Sequence, residues 1–190
     1  MSTIEMSPNK IAADTTAPLN KQIDELYDLI KGIEIAMMTT QLEDGSLVSR
    51  PMSTQTQRDD IDLWFMTRTD THKVEEIEAH PALNLGYYKD YEWVSVTGTA
   101  TVTQDRAMIH ELYQPSWKIW LEENGGAEDG GPDDPRIALI NVRVDKVTYF
   151  KRTATKPVVF FQMAKAFMTG TAPKLGEEHH LDGSDLRVRS

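Results

Sequence analysis

The sequence contains no cysteine. Disulfide bonds, thiolate metal ligands and thiol nucleophiles are therefore excluded, and the composition is compatible with a reducing compartment. Long apolar runs are missing too, since nothing approaches the roughly 20 consecutive apolar residues of a membrane-spanning helix. The N-terminal region also lacks the apolar stretch of a secretion signal. We therefore expect a cytoplasmic protein without a membrane partner.

Positive charge is scarce, because 20 Lys and Arg residues stand against 30 Asp and Glu residues, which gives a net charge of −10. Such a surface repels a phosphate backbone, so no nucleic-acid partner is expected. A local cluster of cations can still hold one small anion, because charges beyond a Debye length of about 8 Å are screened by salt. The charge balance therefore leaves room for a phosphorylated small molecule.

Several catalytic and nucleotide-binding motifs are absent. Neither glycine-rich nucleotide loop occurs, and there is no Gly-x-Ser-x-Gly elbow. The start of a zinc-protease helix at His110 is not completed, because Gln114 stands where the second histidine is needed. Residues 177–180, with Asp182 and Asp185, have the chemistry of zinc or manganese ligands. A solvated tail is the simpler interpretation of that segment, and no metal site is predicted.

A chain of 190 residues with 39% hydrophobic residues suits one domain with a tail at each end. Residues 1–19 are rich in Ser, Thr, Pro and Ala and lack periodicity, which indicates a flexible N-terminal arm. Residues 20–168 make up the predicted domain. Residues 169–190 are predicted to be a C-terminal tail.

The predicted domain consists mainly of β-favouring runs with helices between them. Asp44-Gly45 indicates a tight hairpin, because glycine accepts the positive φ that such a turn needs. Gly98 inside another run indicates a bulge or a close backbone approach. Predicted strands cover residues 33–40, 47–56, 61–67, 82–88, 93–102 and 137–150, and predicted helices cover 20–32, 71–80, 105–113 and 156–168. Neighbouring antiparallel strands with helices at the corners favour a barrel over an alternating βαβ sheet.

The most informative stretch is residues 64–73, where a strand ends, turns and enters a helix. Backbone N–H groups at the start of a helix can bind an anion, and the helix dipole favours negative charge there. Donors from Thr67, Thr71, His72 and Lys73 surround that point, and Arg50 can add a bidentate contact from the preceding strand. Taken singly, Lys73 and Arg68 are more typical of solvated surface charges. A phosphate site is the hypothesis that uses them together.

The segment from Thr67 to Lys73, with the pattern Thr-x-x-x-Thr-His-Lys, resembles the phosphate-binding segment of pyridoxamine 5′-phosphate oxidases and their relatives. Residues 49–53 resemble the FMN-contacting strand of the general-stress-protein branch of that superfamily. Residues 94–100 resemble its Val-x-Val-x-Gly-x-Ala strand, and residues 117–135 are similar to its Trp-rich segment and Asp-Pro turn. The four segments follow the order of that family over most of the predicted domain.

The resemblance implies a mainly β fold with flanking helices, a six- to seven-stranded antiparallel split β-barrel of Greek-key topology. It also implies FMN, with FAD as an alternative, at the interface of a homodimer in which one subunit holds the phosphate and the other closes over the flavin ring. No catalytic residue is predicted. The residues marked as cofactor contacts are Arg50, Pro51, Met52, Met66, Thr67, Arg68, Thr71, His72, Lys73 and Trp93.

Three departures from the oxidases argue against oxidation of pyridoxamine phosphate. Gln55 stands where they have a lysine for the substrate phosphate, and Trp93 stands where they have a flavin-contacting glutamine. Their C-terminal tryptophan segment and Arg-Leu-His-x-Arg motif have no counterpart. The leading hypothesis is an FMN-dependent oxidoreductase for another small substrate or electron donor. The alternatives are a flavin-binding or flavin-sensing stress protein without turnover, and a pocket for another cofactor such as haem or deazaflavin.

The four tryptophans are candidate stacking surfaces for a flat ring. Trp64 lies in a strongly apolar run and is interpreted as part of the core. Trp93, Trp117 and Trp120 have polar or charged neighbours. For these three, core packing and stacking on a flavin are equally compatible with the sequence.

Overall fold

The computed structural model describes residues 12–14, 17–58, 62–153, 156–170 and 175–188. One sheet dominates the fold, and its strands are β1 (Ala12–Asp14), β2 (Ile35–Gln41), β3 (Leu47–Ser53), β4 (Leu63–Arg68), β5 (Ala82–Lys89), β6 (Glu92–Thr103), β7 (Ile137–Arg152) and β8 (Gly176–Asp182). The helices are α1 (Leu19–Ile33), α2 (His72–Ala79), α3 (Arg106–Leu112), α4 (Lys156–Thr169) and α5 (Gly183–Arg187), with a 3₁₀ segment at Pro115–Trp120. Within these ranges, no helix is both long and apolar enough to cross a membrane.

The strands pair in the order β1-β8-β7-β6-β5-β2-β3, and β4 pairs with β7. All pairs among β2 to β8 are antiparallel, whereas the short β1 runs parallel to β8. The 16 residues of β7 pair with β6, with β4 near the start and with β8 near the end. The expected mainly β, antiparallel split barrel with flanking helices is confirmed. β3 and β4 follow each other along the chain without a ladder between them in the described part, and the candidate site lies beside this opening.

Among the described residues, the buried side chains form three clusters, and two of them position the candidate site. The larger one fills the barrel, where alternate residues of the strands meet Ile23, Leu26 and Ile30 of α1. Full burial of one such side chain stabilises the fold by roughly 1.5–3 kcal/mol. The smaller cluster joins Trp64 of β4 to Trp117 of the 3₁₀ segment. It fixes that segment against the sheet, next to the candidate site.

Two glycine predictions are confirmed. Gly45 has a φ of +83° in the turn between β2 and β3, where Asp44 accepts a hydrogen bond from the Ser46 backbone N–H. Gly98 marks a shift of register between β6 and β7. A Cβ at Gly98 would lie only 2.6 Å from the carbonyl oxygen of Arg143, so the two strands approach closely because this residue has no side chain.

The ends of the chain differ from the sequence prediction. In the predicted C-terminal tail, β8 adds to β7, and α5 follows with a capping box between Asp182 and Asp185. The charged residues of β8 concealed this strand, because the sheet buries only alternate side chains, including His179. At the other end, Ala12–Asp14 pairs with β8, and residues 1–11 of the predicted arm lie outside the described residues.

Candidate functional site

A cavity of about 620 Å³ lies where β3, the end of β4, the start of α2 and the 3₁₀ segment converge. This volume is within the usual range of small-molecule sites, roughly 300–1,000 Å³. Its described lining residues are Ile35, Arg50, Pro51, Met52, Ser53, Gln55, Met66, Thr67, Arg68, Thr71, Lys73, Gln114, Ser116, Trp117, Ile119 and Trp120.

Lys73 lies in the first turn of α2, between two hydroxyl groups. Its Nζ donates to Thr67 Oγ1 at 3.1 Å and to Thr71 Oγ1 at 3.3 Å. Burial lowers the pKa of Lys73, and the nearby positive charge of Arg50 lowers it further. Negative charge in the cavity would act against both effects, because an opposite charge nearby favours the protonated form of lysine.

Arg50 enters the same cavity from β3, but a carboxylate already holds it. Its Nη1 and Nη2 donate to Glu76 Oε2 and Oε1 at 2.7 and 2.6 Å, and Nη1 also donates to Thr40 Oγ1 at 3.0 Å. Hydrogen bonds from Arg50 lower the pKa of Glu76, with a further contribution from Thr40, and they outweigh the opposing effect of burial. Arg50 is therefore fixed in direction, and its charge is largely balanced.

Arg68 is paired as well, since its Nε donates to Asp70 Oδ1 at 2.9 Å. This hydrogen bond raises the pKa of Arg68 and lowers that of Asp70. Among the described residues that line the cavity, Lys73 is thus the cation without a carboxylate partner in a salt bridge. Its position at the start of α2 makes this part of the cavity chemically suited to an anion.

The 3₁₀ segment forms the wall farther from the sheet. Trp117 is 3% exposed and meets Trp64 and Tyr113 edge-on, with ring centroids 6.2 and 5.7 Å away. Its Nε1 donates to Gln55 Oε1 at 3.4 Å. Ile119 and Trp120 behave differently, because they line the cavity while remaining 76% and 67% exposed.

The loop before β7 keeps this wall in place. The buried carboxylate of Asp134 accepts hydrogen bonds from the Gly130 backbone N–H at 2.8 Å and from Arg136 Nη2 at 2.7 Å. The hydrogen bond from Arg136 holds the pKa of Asp134 well below its usual range. Arg136 also donates to the Glu122 carbonyl oxygen at 2.9 Å, just beyond Trp120. The acidic, glycine-rich loop is thereby ordered by a buried ion pair.

The cavity brings together eight of the ten predicted contact residues. His72 is not among its lining residues, because its side chain is 91% exposed and lies near Glu75. Successive residues of a helix point about 100° apart, so the side chains of His72 and Lys73 face different directions. Trp93 packs instead against the cluster of Phe150, Val159 and Leu175, away from this cavity. A cofactor role for either residue stays a prediction.

Sequence reasoning did not assign eight further lining residues to the site. They are Ile35, Ser53, Gln55, Gln114, Ser116, Trp117, Ile119 and Trp120. The position of Gln55, close to Arg50 in the sequence, could have marked it as a site residue. For Trp117 and Trp120, the sequence left both core packing and stacking on a flavin open. The structure divides the two tryptophans, since Trp117 is buried and Trp120 is exposed. Trp64 is buried, as expected.

The histidines near the C-terminus do not converge on one point. His179 faces inward and stacks on Tyr149, with ring centroids 4.3 Å apart, whereas His180 lies on the opposite, exposed face of β8. This follows from the alternation of side chains along a strand. Among the described residues, no group of three or more His, Asp or Glu side chains could hold a metal ion.

Known proteins are similar to this chain in sequence and in fold. Residues 21–174 match the family model described as pyridoxamine 5′-phosphate oxidase like. Protein bli-3 of Neurospora crassa is 34% identical over 174 residues, which cover 86% of this chain and 82% of that protein.

Solved structures extend the comparison. A candidate general stress protein 26 from Jannaschia sp. CCS1 has a TM-score of 0.66 at 22% identity, over 86% of this chain and 99% of that one. A general stress FMN/FAD binding protein from Xanthomonas citri has a TM-score of 0.57 at 21% identity, over 72% and 92% of the two chains. These two likenesses concern the fold, whereas the match over residues 21–174 and the identity to bli-3 concern the sequence itself. This chain therefore belongs to the pyridoxamine 5′-phosphate oxidase-like family.

Proposed function

We propose that this protein binds FMN in the cavity beside α2, with the phosphate at Lys73, and that it is an oxidoreductase for a small substrate. The observation that carries the proposal is the position of Lys73, which has no carboxylate partner among the described residues, lies between two hydroxyls and opens onto about 620 Å³ of cavity. A phosphate dianion suits this point, since charge-assisted hydrogen bonds are about twice as strong as neutral ones.

The residues present fit a flavin mononucleotide in both chemistry and size. Lys73, Thr67 and Thr71 offer donors at one end, and Pro51, Met52 and Met66 offer apolar surface to a flat ring. FMN, when bound, supplies two-electron hydride chemistry that amino-acid side chains lack. The chain holds and orients the nucleotide, Glu76 fixes the direction of Arg50, and the 3₁₀ segment covers one side of the cavity.

Two related structures support the choice of cofactor. The Xanthomonas citri protein is described as FMN/FAD binding, and a Nostoc punctiforme protein, with a TM-score of 0.56 at 16% identity, is described as pyridoxamine 5′-phosphate oxidase-related and FMN binding. Among the described lining residues, one cation lacks a carboxylate partner, and this favours FMN over FAD because FAD carries a diphosphate rather than one terminal phosphate.

We also propose that two copies associate. One surface of β2, β3 and the β5–β6 hairpin exposes large apolar side chains, namely Ile35, Met37, Leu47, Tyr88 and Tyr91. A second cavity of about 530 Å³ lies among them and shares Ile35 with the first. Exposed apolar patches of this kind are typical of interfaces. Light scattering should give twice the chain mass, and a monomer mass at micromolar concentration would contradict the dimer.

The test of the proposed cofactor is a titration of cofactor-free protein with FMN and with FAD, followed by flavin fluorescence. FMN should saturate near one per chain and bind more tightly than FAD. The variant that combines Arg50→Met with Lys73→Met should bind FMN far more weakly. An unchanged FMN affinity in that variant would overturn the assignment of the site.

A second candidate function is flavin binding without turnover. The described lining of the cavity contains no His, Asp, Glu or Tyr side chain, so none of these common acid–base groups touches it. Turnover separates the two candidates. FMN-loaded protein that shows no reduction by NADH or NADPH, and no oxidation of pyridoxamine phosphate, would support binding alone.

A further inference from the structure

The charges around the cavity restrict what can bind beside the flavin. Arg50 and Arg68 line the cavity, but Glu76 and Asp70 balance them. Lys73 is the remaining cation, and the proposed function uses it for the FMN phosphate. A second phosphate or carboxylate would lose its water without an unpaired cation to receive it among the described lining residues, which is unfavourable.

The rest of the described lining is uncharged. None of the described lining residues is acidic, so a cationic ligand would find no carboxylate partner among them. The apolar part is formed by Met52, Trp117, Ile119 and Trp120. Ile119 and Trp120 keep more than half of their surface exposed, at 76% and 67%. An indole face at a cavity is suited to stacking on a flat ring.

Gln55 connects β3 to the aromatic wall of the cavity, which is formed by Trp117 and Trp120 of the 3₁₀ segment. Its Nε2 donates to the Ser53 carbonyl oxygen at 3.1 Å, and its Oε1 accepts from Trp117 Nε1 at 3.4 Å. Both ends of the amide are therefore engaged. Gln55 is therefore a neutral side chain with both amide ends hydrogen-bonded, and it lies where the aromatic wall meets β3.

We infer that the compound bound beside the flavin is a flat, uncharged ring compound without a phosphate group. It lies against Trp120 and Ile119, and Gln55 is the residue that disfavours its phosphorylated analogues. This inference rests on the proposed function, because it assigns Lys73 to the FMN phosphate.

The experiment is a calorimetric titration of FMN-loaded protein with a matched pair of probes, 2-naphthol and 2-naphthyl phosphate. The neutral probe should bind at least about tenfold more tightly than the phosphorylated one. Trp120→Ala should weaken 2-naphthol binding by about tenfold, as expected for the loss of one stacking partner. It should leave the FMN content unchanged, which is checked by flavin absorbance.

Gln55→Lys tests the specificity directly. The added cation should strengthen 2-naphthyl phosphate binding by about tenfold and remove the preference for the neutral probe. Gln57→Lys adds the same charge at an exposed residue that does not line this cavity, and it should leave the preference as it is.

The outcomes separate the two proposals. FMN-loaded protein that binds 2-naphthyl phosphate as tightly as 2-naphthol overturns the inference and leaves FMN binding intact. The same conclusion follows if neither probe responds to Trp120→Ala. A protein that takes up no FMN overturns the proposed function, and this inference with it.

Discussion

Substitution Glu76→Gln tests how strongly the ion pair with Arg50 ties α2 to the sheet. Glu76 lies on α2 with a side chain that is 7% exposed, and it reaches Arg50 of β3 and Thr40 of β2. Glutamine keeps the size and one acceptor oxygen but removes the charge. The variant should therefore fold while losing one of the two hydrogen bonds from Arg50 and the strength that charge adds to the other.

The expected loss follows from these contacts. Hydrogen bonds to charged groups contribute roughly 1.5–3 kcal/mol each, against about 1 kcal/mol for neutral ones. The Arg50 side chain is 29% exposed, so water screens part of this difference. We expect the free energy of unfolding to fall by about 2 kcal/mol, a measurable part of the roughly 5–15 kcal/mol that stabilises a typical domain.

The assay is urea unfolding at pH 7, with Glu75→Gln as the matched control. Glu75 is the preceding residue on α2, its side chain is 80% exposed, and its contact with His72 is 3.5 Å long. The control should change stability by less than about 0.5 kcal/mol. Arg50→Met combined with Glu76→Gln should cost less than the sum of the single changes, because the residues act as one pair.

The pH dependence provides an independent check. Because Arg50 holds the pKa of Glu76 below its usual value, the pair stabilises the fold fully above the unfolded pKa of about 4.3. That contribution is lost as the pH falls through the lower pKa of the folded state. The gap between the parent and Glu76→Gln should therefore narrow as the pH falls below about 4. A gap under about 0.5 kcal/mol at pH 7, or one that does not change on acidification, would refute this reasoning.

Three further predictions follow from the geometry. Gly98→Ala should lower the free energy of unfolding by about 2 kcal/mol or more, because its Cβ would lie 2.6 Å from the Arg143 carbonyl oxygen. Gly32→Ala has nothing within 4 Å of the new Cβ and should stabilise α1 by about 0.5–1 kcal/mol. Equal effects of the two substitutions in urea unfolding would contradict the close approach at Gly98. Glu34→Gly should raise the melting temperature by a few degrees, since the exposed Glu34 has a φ of +69° at the end of α1, and a lower temperature would refute relief of strain. FMN affinity should be highest below the pKa of Lys73 in the free protein, where the ammonium group is protonated, and this pKa lies under the usual lysine value. The affinity should fall as the pH rises through that pKa, and in Lys73→Met this decline should vanish.

Local patterns predicted most of the fold. Alternation and turn chemistry predicted the strands, and Asp44-Gly45 predicted the first hairpin, because these features depend on neighbours along the chain. The strand β8 escaped prediction, since its Glu and His residues lack a local apolar signal and its burial comes from β7, about 30 residues away.

The site was predictable only in part, because several of its contacts join segments that are distant along the chain. Lys73 could be identified because a strand end and a helix start place it locally. The partner of Arg50 could not, because Glu76 looks like a solvated helix residue until the barrel brings α2 against β2 and β3. Gln114 and Ile119 join the cavity through the packing of Trp117 on Trp64, a contact that no local pattern reveals.

The central claim is that Lys73 holds the phosphate of FMN. The most direct measurement compares the affinities of FMN and riboflavin, which differ by that phosphate alone, in the parent, in Lys73→Met and in the charge-matched control Lys146→Met on an exposed part of β7. The parent and the control should prefer FMN, and Lys73→Met should reduce that preference by about 10–100-fold, the equivalent of one charged hydrogen bond. An FMN preference that is the same in all three proteins would contradict the account.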